Sequence, residues 1–236
     1  MSSHPHRTPA LTVLLALVGG ATRLQAETLL DLDDRSPSIV LRADRLGVTY
    51  TVASVQAVRS DHALEPGSGF FYFEGTRLVG DEGYGFGLAT RAASLAAYGG
   101  SDGQSLGADV SGGIWYGGDF VGSFPRGPNA TYGLAVDYRG LHPIVHVIAR
   151  EVDGGPARVF ERVVLSEITG PLHILLYGTP TTSGVQQELN PGNDLAHHAF
   201  ALDPSAALDA ARYRGSEGLI LGWNPPPDLR VRVDAR

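Results

Sequence analysis

GYGFGLAT, residues 83–90, sets glycine at 83, 85 and 87 against Tyr84, Phe86 and Leu88. Two kinds of structure use such a pattern. A phosphate-cradling loop needs a strand, the loop and a helix in that order, with glycines spaced G-x-G-x-x-G. Here Gly85-Phe86-Gly87 is followed by Leu88, Ala89 and Thr90, so the third glycine is missing. A β-strand instead sends alternate side chains to opposite faces. One face would be bulky and the other bare, and a bare face lets a neighbouring segment pack close. The strict period of two selects the strand.

The flanking sequence extends this reading. Residues 38–46 (SIVLRADRL) and 47–58 (GVTYTVASVQAV) are rich in β-branched side chains, and residues 69–78 (GFFYFEGTRL) form an aromatic run. In TYGLAVDYRG, residues 131–140, alternation places Tyr132, Leu134, Val136 and Tyr138 on one face. Residues 143–155 and 157–165 predict two strands joined by an Asp-Gly-Gly turn. PLHILLYG, residues 171–178, predicts another strand. Many short strands separated by turn residues predict an all-β antiparallel sandwich or barrel, and no βα alternation interrupts them.

Two segments predict helix. Residues 90–100 (TRAASLAAYGG) are alanine-rich and end at Gly99 and Gly100. In DPSAALDAARYRG, residues 203–215, Asp203 is placed to cap, Pro204 to open the first turn and Gly215 to follow the end. An extended, proline-containing tail follows. The expected domains are residues 1–26, residues 27–203 as the sandwich, and residues 204–236 as helix and tail.

Composition limits function. The chain has 236 residues and a net charge of −7, and all 18 of its fixed positive charges are arginine. An acidic chain is a poor partner for nucleic acid, which needs a basic face. No cysteine is present, which removes disulfides, thiolate zinc sites and cysteine nucleophiles. Residues 1–26 have a mildly basic start, an apolar run from Ala10 to Val18 and small residues before Ala21 or Ala26. That is the layout of a secretory signal peptide, and export is expected. The run is too short to span a bilayer, which takes about 20 residues.

An ordered series of phrases in the centre of the chain resembles the SPRY family, the core of B30.2 modules. Val58-Arg59-Ser60 leads to Gly69, and FYFEG follows at 71–75. GYGFGLAT comes next, then Tyr98-Gly99-Gly100 without the usual proline, then Ser105-Leu106-Gly107. SGGIWYGG (111–118) and NATYGLAVDY (129–138) keep the order, the latter without its leading Gly-Asp. Asn190, Gly192 and Phe200 match the closing phrase across a longer insert. The resemblance spans residues 38–203. It implies a jelly-roll-like, concanavalin-A-like antiparallel β-sandwich that binds a protein or peptide, with no cofactor. The ligand-binding surface it implies uses loops at one end of the sandwich: Arg59 and Asp61, Tyr98 and Asp102, Tyr116, and Arg139 beside Asp137. Asp137 is expected to anchor a turn. The shared architecture leaves a lectin-like binder of glycan as the alternative.

GGSDG, residues 99–103, matches the G-x-S-x-G nucleophile elbow, but that motif needs a strand before the serine and a helix after it. His142 and His146 would share a strand face, yet zinc needs about three ligands and no third is suitably spaced. They are expected as polar residues at an edge or on the solvent face, with His197 and His198 in the insert loop. Asp31, Asp33 and Asp34, and Asp81 with Glu82, lack calcium-loop grammar and are expected in solvated turns. Glu74 stands alone where a glycosidase would need paired acids. Trp115 is expected in the core, which would turn Ile114 outward, with Tyr116 accessible.

Overall fold

The computed structural model describes residues 27–79, 84–125, 131–151, 153–179, 184–195 and 198–211. Expectations for the first 26 residues, Gly83, Asp81, Glu82, His197 and the tail after 211 lie outside them. Two seven-stranded sheets make the body. The first runs β1 (Leu30–Arg35), β4 (Gln56–Leu64), β13 (Leu172–Gly178), β6 (Tyr84–Ala89), β7 (Ser105–Asp109), β8 (Gly113–Tyr116) and β9 (Asp119–Ser123). The second runs β12 (Ala157–Val164), β11 (Ile144–Arg150), β10 (Thr131–Asp137), β5 (Phe70–Val79), β14 (Val185–Asn190), β3 (Gly47–Tyr50) and β2 (Ile39–Leu41). Every paired neighbour is antiparallel. The chain changes sheet repeatedly, so strands distant in sequence become neighbours, as β4 and β13 do. The fold is the all-β antiparallel sandwich that the strand pattern predicts.

The core lies between the sheets and is built by alternation. Tyr84, Phe86 and Leu88 of β6 all point inward, and so do Tyr132, Leu134 and Val136 of β10, with Tyr138 just beyond it. Phe86 stacks on Tyr132 with ring centroids 3.7 Å apart and nearly parallel. The Phe86 ring also covers Gly75 on the opposite sheet, where a Cβ would lie 2.2 Å from it. Glycine at 75 therefore makes room for a ring whose full burial is worth about 2–3 kcal/mol. Tyr132 keeps its buried hydroxyl satisfied by donating to the carbonyl of Ala108 and accepting from the Phe86 N–H.

The outer face of the second sheet is covered by helix α1 (Pro204–Ala210). Asp203 caps it, its Oδ1 accepting from the Ala206 N–H at 3.0 Å, and Pro204 fills the first position. Both features were readable in the sequence. Ala207 and Leu208 pack with Phe70, Tyr72, Ala135 and Ile148. Ala211 is the C-cap, and Gly215 lies outside the described residues.

Residues 90–100 do not form the helix their alanine content predicts; they run as turns and bends. Tertiary partners take the backbone groups that a helix would use. The Arg59 guanidinium donates to the Ala93 carbonyl, and Ser36 Oγ donates to the Leu95 carbonyl at 3.1 Å. Thr90 Oγ1 accepts from the Ala92 N–H at 3.2 Å. Helix propensity is a weak prior, and these contacts override it.

Candidate functional site

The bare face of β6 explains the site. Gly85 and Gly87 turn outward, and Gly107 of β7 pairs with Gly87. A Cβ at Gly107 would lie 2.1 Å from the Gly99 carbonyl oxygen, and one at Gly99 would lie 2.6 Å from the Tyr177 ring. The three strand glycines let residues 98–100 and Tyr177 of β13 settle against the sheet. Tyr177 is almost wholly buried there, and a Cβ at Gly85 or Gly107 would lie 2.5 or 2.7 Å from its hydroxyl. Tyr98 packs edge-on against it at 6.1 Å and stays 45 % exposed.

This arrangement leaves a cavity of about 570 Å³. Tyr98, Gly99, Gly100 and Ser101 form one wall; Asp109, Val110, Ser111 and Trp115 form the other. Tyr177 and Gly118 complete the lining. The walls are tied together by backbone. Gly118 N–H donates to the Gly100 carbonyl at 2.9 Å, and Gly117 N–H donates to the Asp102 carbonyl at 3.2 Å. Asp109 shapes the β7–β8 turn, its Oδ1 accepting from the N–H groups of Ser111 and Gly113 and from the Ser111 hydroxyl. Its Oδ2 accepts from Trp115 Nε1 at 3.0 Å. Burial, with Asp109 and Tyr98 nearby, holds the Tyr177 hydroxyl well above the usual tyrosine range, so it stays protonated at neutral pH.

Trp115 corrects an expectation. Ile114 faces the core and Trp115 faces out, the reverse of what its size suggests. Register decides it: Ile114 pairs with the inward Ala108, and Trp115 with the outward Gly107. Trp115 meets Phe120 edge-on at 5.4 Å, and Phe120 is 58 % exposed.

The other expected surface residues disperse. Arg59, expected on the ligand-binding surface, is buried: its guanidinium pairs with Asp34 at 2.7 Å beneath residues 90–95. Asp34 and Asp31, expected in a solvated turn, lie on β1 and pair with Arg59 and Arg91. Asp61 ties β1 to β4 by accepting from the Leu29 N–H, and pairs with Arg45. Asp102 turns its own loop, accepting from the Gln104 N–H and the Ser105 hydroxyl. Tyr116 is half-buried, its hydroxyl accepting from the Glu167 N–H at 2.8 Å; burial raises its pKa. Arg139 forms a two-point pair with Asp137 on the second sheet, the turn-anchoring role expected for Asp137. Of the six, Tyr98 lines the cavity, and Asp102 and Tyr116 belong to the segments that frame it.

Histidines and acids take structural places. His146, expected at an edge or on the solvent face, is buried on β11, and burial beside Arg162 lowers its pKa to about 4. His142 lies before that strand, with Nδ1 3.2 Å from the Ile168 carbonyl. Ser101 lines the cavity without a strand directly before it or a helix after it, and among the described residues no histidine is in the lining. Among the described residues no group of three His, Asp or Glu is placed to hold a metal ion. No helix among them is long and apolar enough to cross a membrane.

No family model matches the chain, and no curated protein matches it. Solved structures do. The TRIM65 PSpry domain aligns with a TM-score of 0.52 at 12 % identity, covering 70 % of this chain and 92 % of that one. The SPRY domain of human HERC1 aligns at 0.52 and 8 % identity, covering 68 % and 96 %. The fold is SPRY-like. A third match, to stonustoxin, has a TM-score of 0.53 at 12 % identity and covers 70 % of this chain but 27 % of that one. At such identities the likeness is one of fold. Within this SPRY-like sandwich the quoted phrases form strands: FYFEG on β5, YGFGLA on β6 and TYGLAVD on β10. The closing phrase turns at Gly192, at φ 80°, a left-handed conformation that glycine adopts without strain. It ends with Phe200 edge-on to Tyr72 at 4.7 Å.

Sequence reasoning missed Asp109, Phe120 and Tyr177, and mistook the direction of Trp115. One signal was available: outward glycines at 85, 87 and 107 require a partner, and residues 98–100 lie between them in sequence.

Proposed function

We propose that this SPRY-like sandwich is a non-catalytic module that binds a protein or peptide through the Tyr98–Trp115 cavity. The observation that carries the reading is the cavity itself, with its two aromatic walls braced on a rigid sheet and Phe120 exposed beside it. Large exposed aromatics around a preformed concavity are the usual anchors of a binding surface. The SPRY-like fold supports the same reading by analogy. Export, as residues 1–26 suggest, would place the partner outside the cytoplasm.

The test is capture from envelope and medium extracts of the source organism, with the protein immobilised, before and after periodate oxidation of glycans. The reading predicts a protein recovered from both extracts and lost with Tyr98→Ala/Trp115→Ala. Recovery from untreated extract alone would replace it with glycan binding. Capture that survives the double substitution would remove the cavity from the account.

A further inference from the structure

We propose that the cavity receives a cationic side chain of the partner peptide, with the planar guanidinium of arginine as the best fit. The inference rests on reading the cavity as a peptide site and specifies what the peptide must carry. Three observations converge. Among the described residues Asp109 is the one acidic residue of the lining, no basic residue lines it, and it has no cationic partner. Its Oδ1 already accepts three hydrogen bonds but its Oδ2 accepts only that of Trp115 Nε1, leaving one oxygen with capacity toward a ligand. The Tyr177 hydroxyl, on a side chain more than nine-tenths buried, makes no hydrogen bond among the described residues while its ring lines the cavity. The hydroxyl oxygen keeps its lone pairs free to accept from a ligand N–H.

The third observation is the aromatic lining. Tyr98, Trp115 and Tyr177 surround the space that Asp109 borders. Aromatic faces attract cations, and do so more strongly when water is excluded. A guanidinium can lie against a ring while its in-plane N–H groups donate to a carboxylate and a hydroxyl. An ammonium satisfies the charge but not the stacking. A neutral or acidic side chain would leave Asp109 uncompensated in a partly desolvated site.

The experiment pans a displayed library of random dodecapeptides on the immobilised full chain and measures affinities of the enriched peptides. The proposal predicts a shared arginine, whose replacement by citrulline weakens binding at least tenfold. Lysine at that place should bind between the two. Raising salt from about 0.05 to 0.5 M should weaken the arginine peptide and leave the citrulline peptide nearly unchanged. Asp109→Asn and Tyr177→Phe should each weaken the arginine peptide at least threefold but not the citrulline peptide. Tyr177→Phe removes one oxygen and keeps the ring, so it tests the site even if Asp109→Asn disturbs its turn. Enriched peptides that need Trp115 yet bind equally well with citrulline would overturn the cation assignment and leave the module reading intact. A library that yields no peptide dependent on Trp115 would overturn both.

Discussion

The Glu74 carboxylate and the backbone N–H of Leu202 meet at 2.8 Å across 128 residues of chain. The same carboxylate accepts from the Ala201 N–H at 2.8 Å and from the Tyr72 hydroxyl at 2.9 Å. It pins the segment before α1 to the outer face of the second sheet. Glu74→Gln keeps one acceptor oxygen and turns an amide N–H toward the Ala201 N–H. Losing the acceptor of that part-buried donor should cost about 1 kcal/mol, read as a lower urea midpoint with unchanged slope. Burial raises the Glu74 pKa above its usual value despite its three donors. Its contribution to stability is therefore complete below the unfolded carboxylate pKa and falls as pH rises through the folded value. The Gln variant should lack this dependence.

Gly107 and Gly170 form a matched contrast. A Cβ at Gly107 meets the Gly99 carbonyl oxygen at 2.1 Å, whereas one at Gly170 meets nothing within 4 Å. Gly107→Ala should push residues 98–100 off the sheet and cost about 1–3 kcal/mol. Gly170→Ala should be neutral or stabilise by up to about 1 kcal/mol through the unfolded chain. Thermal melting of the two variants checks both.

Arg59 separates a surface role from a structural one. Its side chain is 2 % exposed and its charge is met by Asp34 and the Ala93 carbonyl. Removing the side chain leaves the Ala93 carbonyl without its donor, at about 1–3 kcal/mol, while Arg91 still pairs with Asp34 at 2.7 Å. Arg59→Ala should unfold far more readily than Arg91→Ala, whose side chain is about half exposed. Equal melting temperatures would show that Arg59 is not buried as described.

His146 predicts acid sensitivity. Its pKa falls from the usual 6.5 to about 4, chiefly by burial, with Arg162 adding and Asp137 opposing. The folded state holds it neutral while the unfolded chain protonates. Stability is thus complete above about pH 6.5 and is lost as pH falls toward 4. At about 1.4 kcal/mol for each pH unit between the two pKa values, the loss is roughly 3 kcal/mol. Urea midpoints at pH 7 and pH 4.5 should differ by less in His146→Phe than in the parent.

How much of this was legible follows from which signals are local. The alternation in GYGFGLAT and TYGLAVDY fixed strands and their inward faces, because period two is a property of the backbone. The Asp203–Pro204 cap is equally local. Trp115 was not legible: its direction depends on pairing with Gly107, and register is a relation between strands. Arg59 was expected on a surface only through the resemblance of its phrase, but its guanidinium lies against the Ala93 carbonyl and Asp34. Residues 90–95 lost their helix to the same contacts. The cavity was half legible, since Tyr98 was identified, while Asp109 and Tyr177 come together only through strand order.

The central claim is that the partner docks on the outer face of the first sheet, and site-specific crosslinking tests it most directly. The photoreactive residue p-benzoylphenylalanine would replace Phe120, which is exposed beside the cavity, or Leu141, which is 68 % exposed in the turn between β10 and β11 of the second sheet. After irradiation in envelope and medium extract, the account predicts a periodate-resistant protein adduct at position 120, abolished by Tyr98→Ala/Trp115→Ala, and none at 141. An adduct at 141 alone, or one at 120 that the double substitution leaves unchanged, would contradict it.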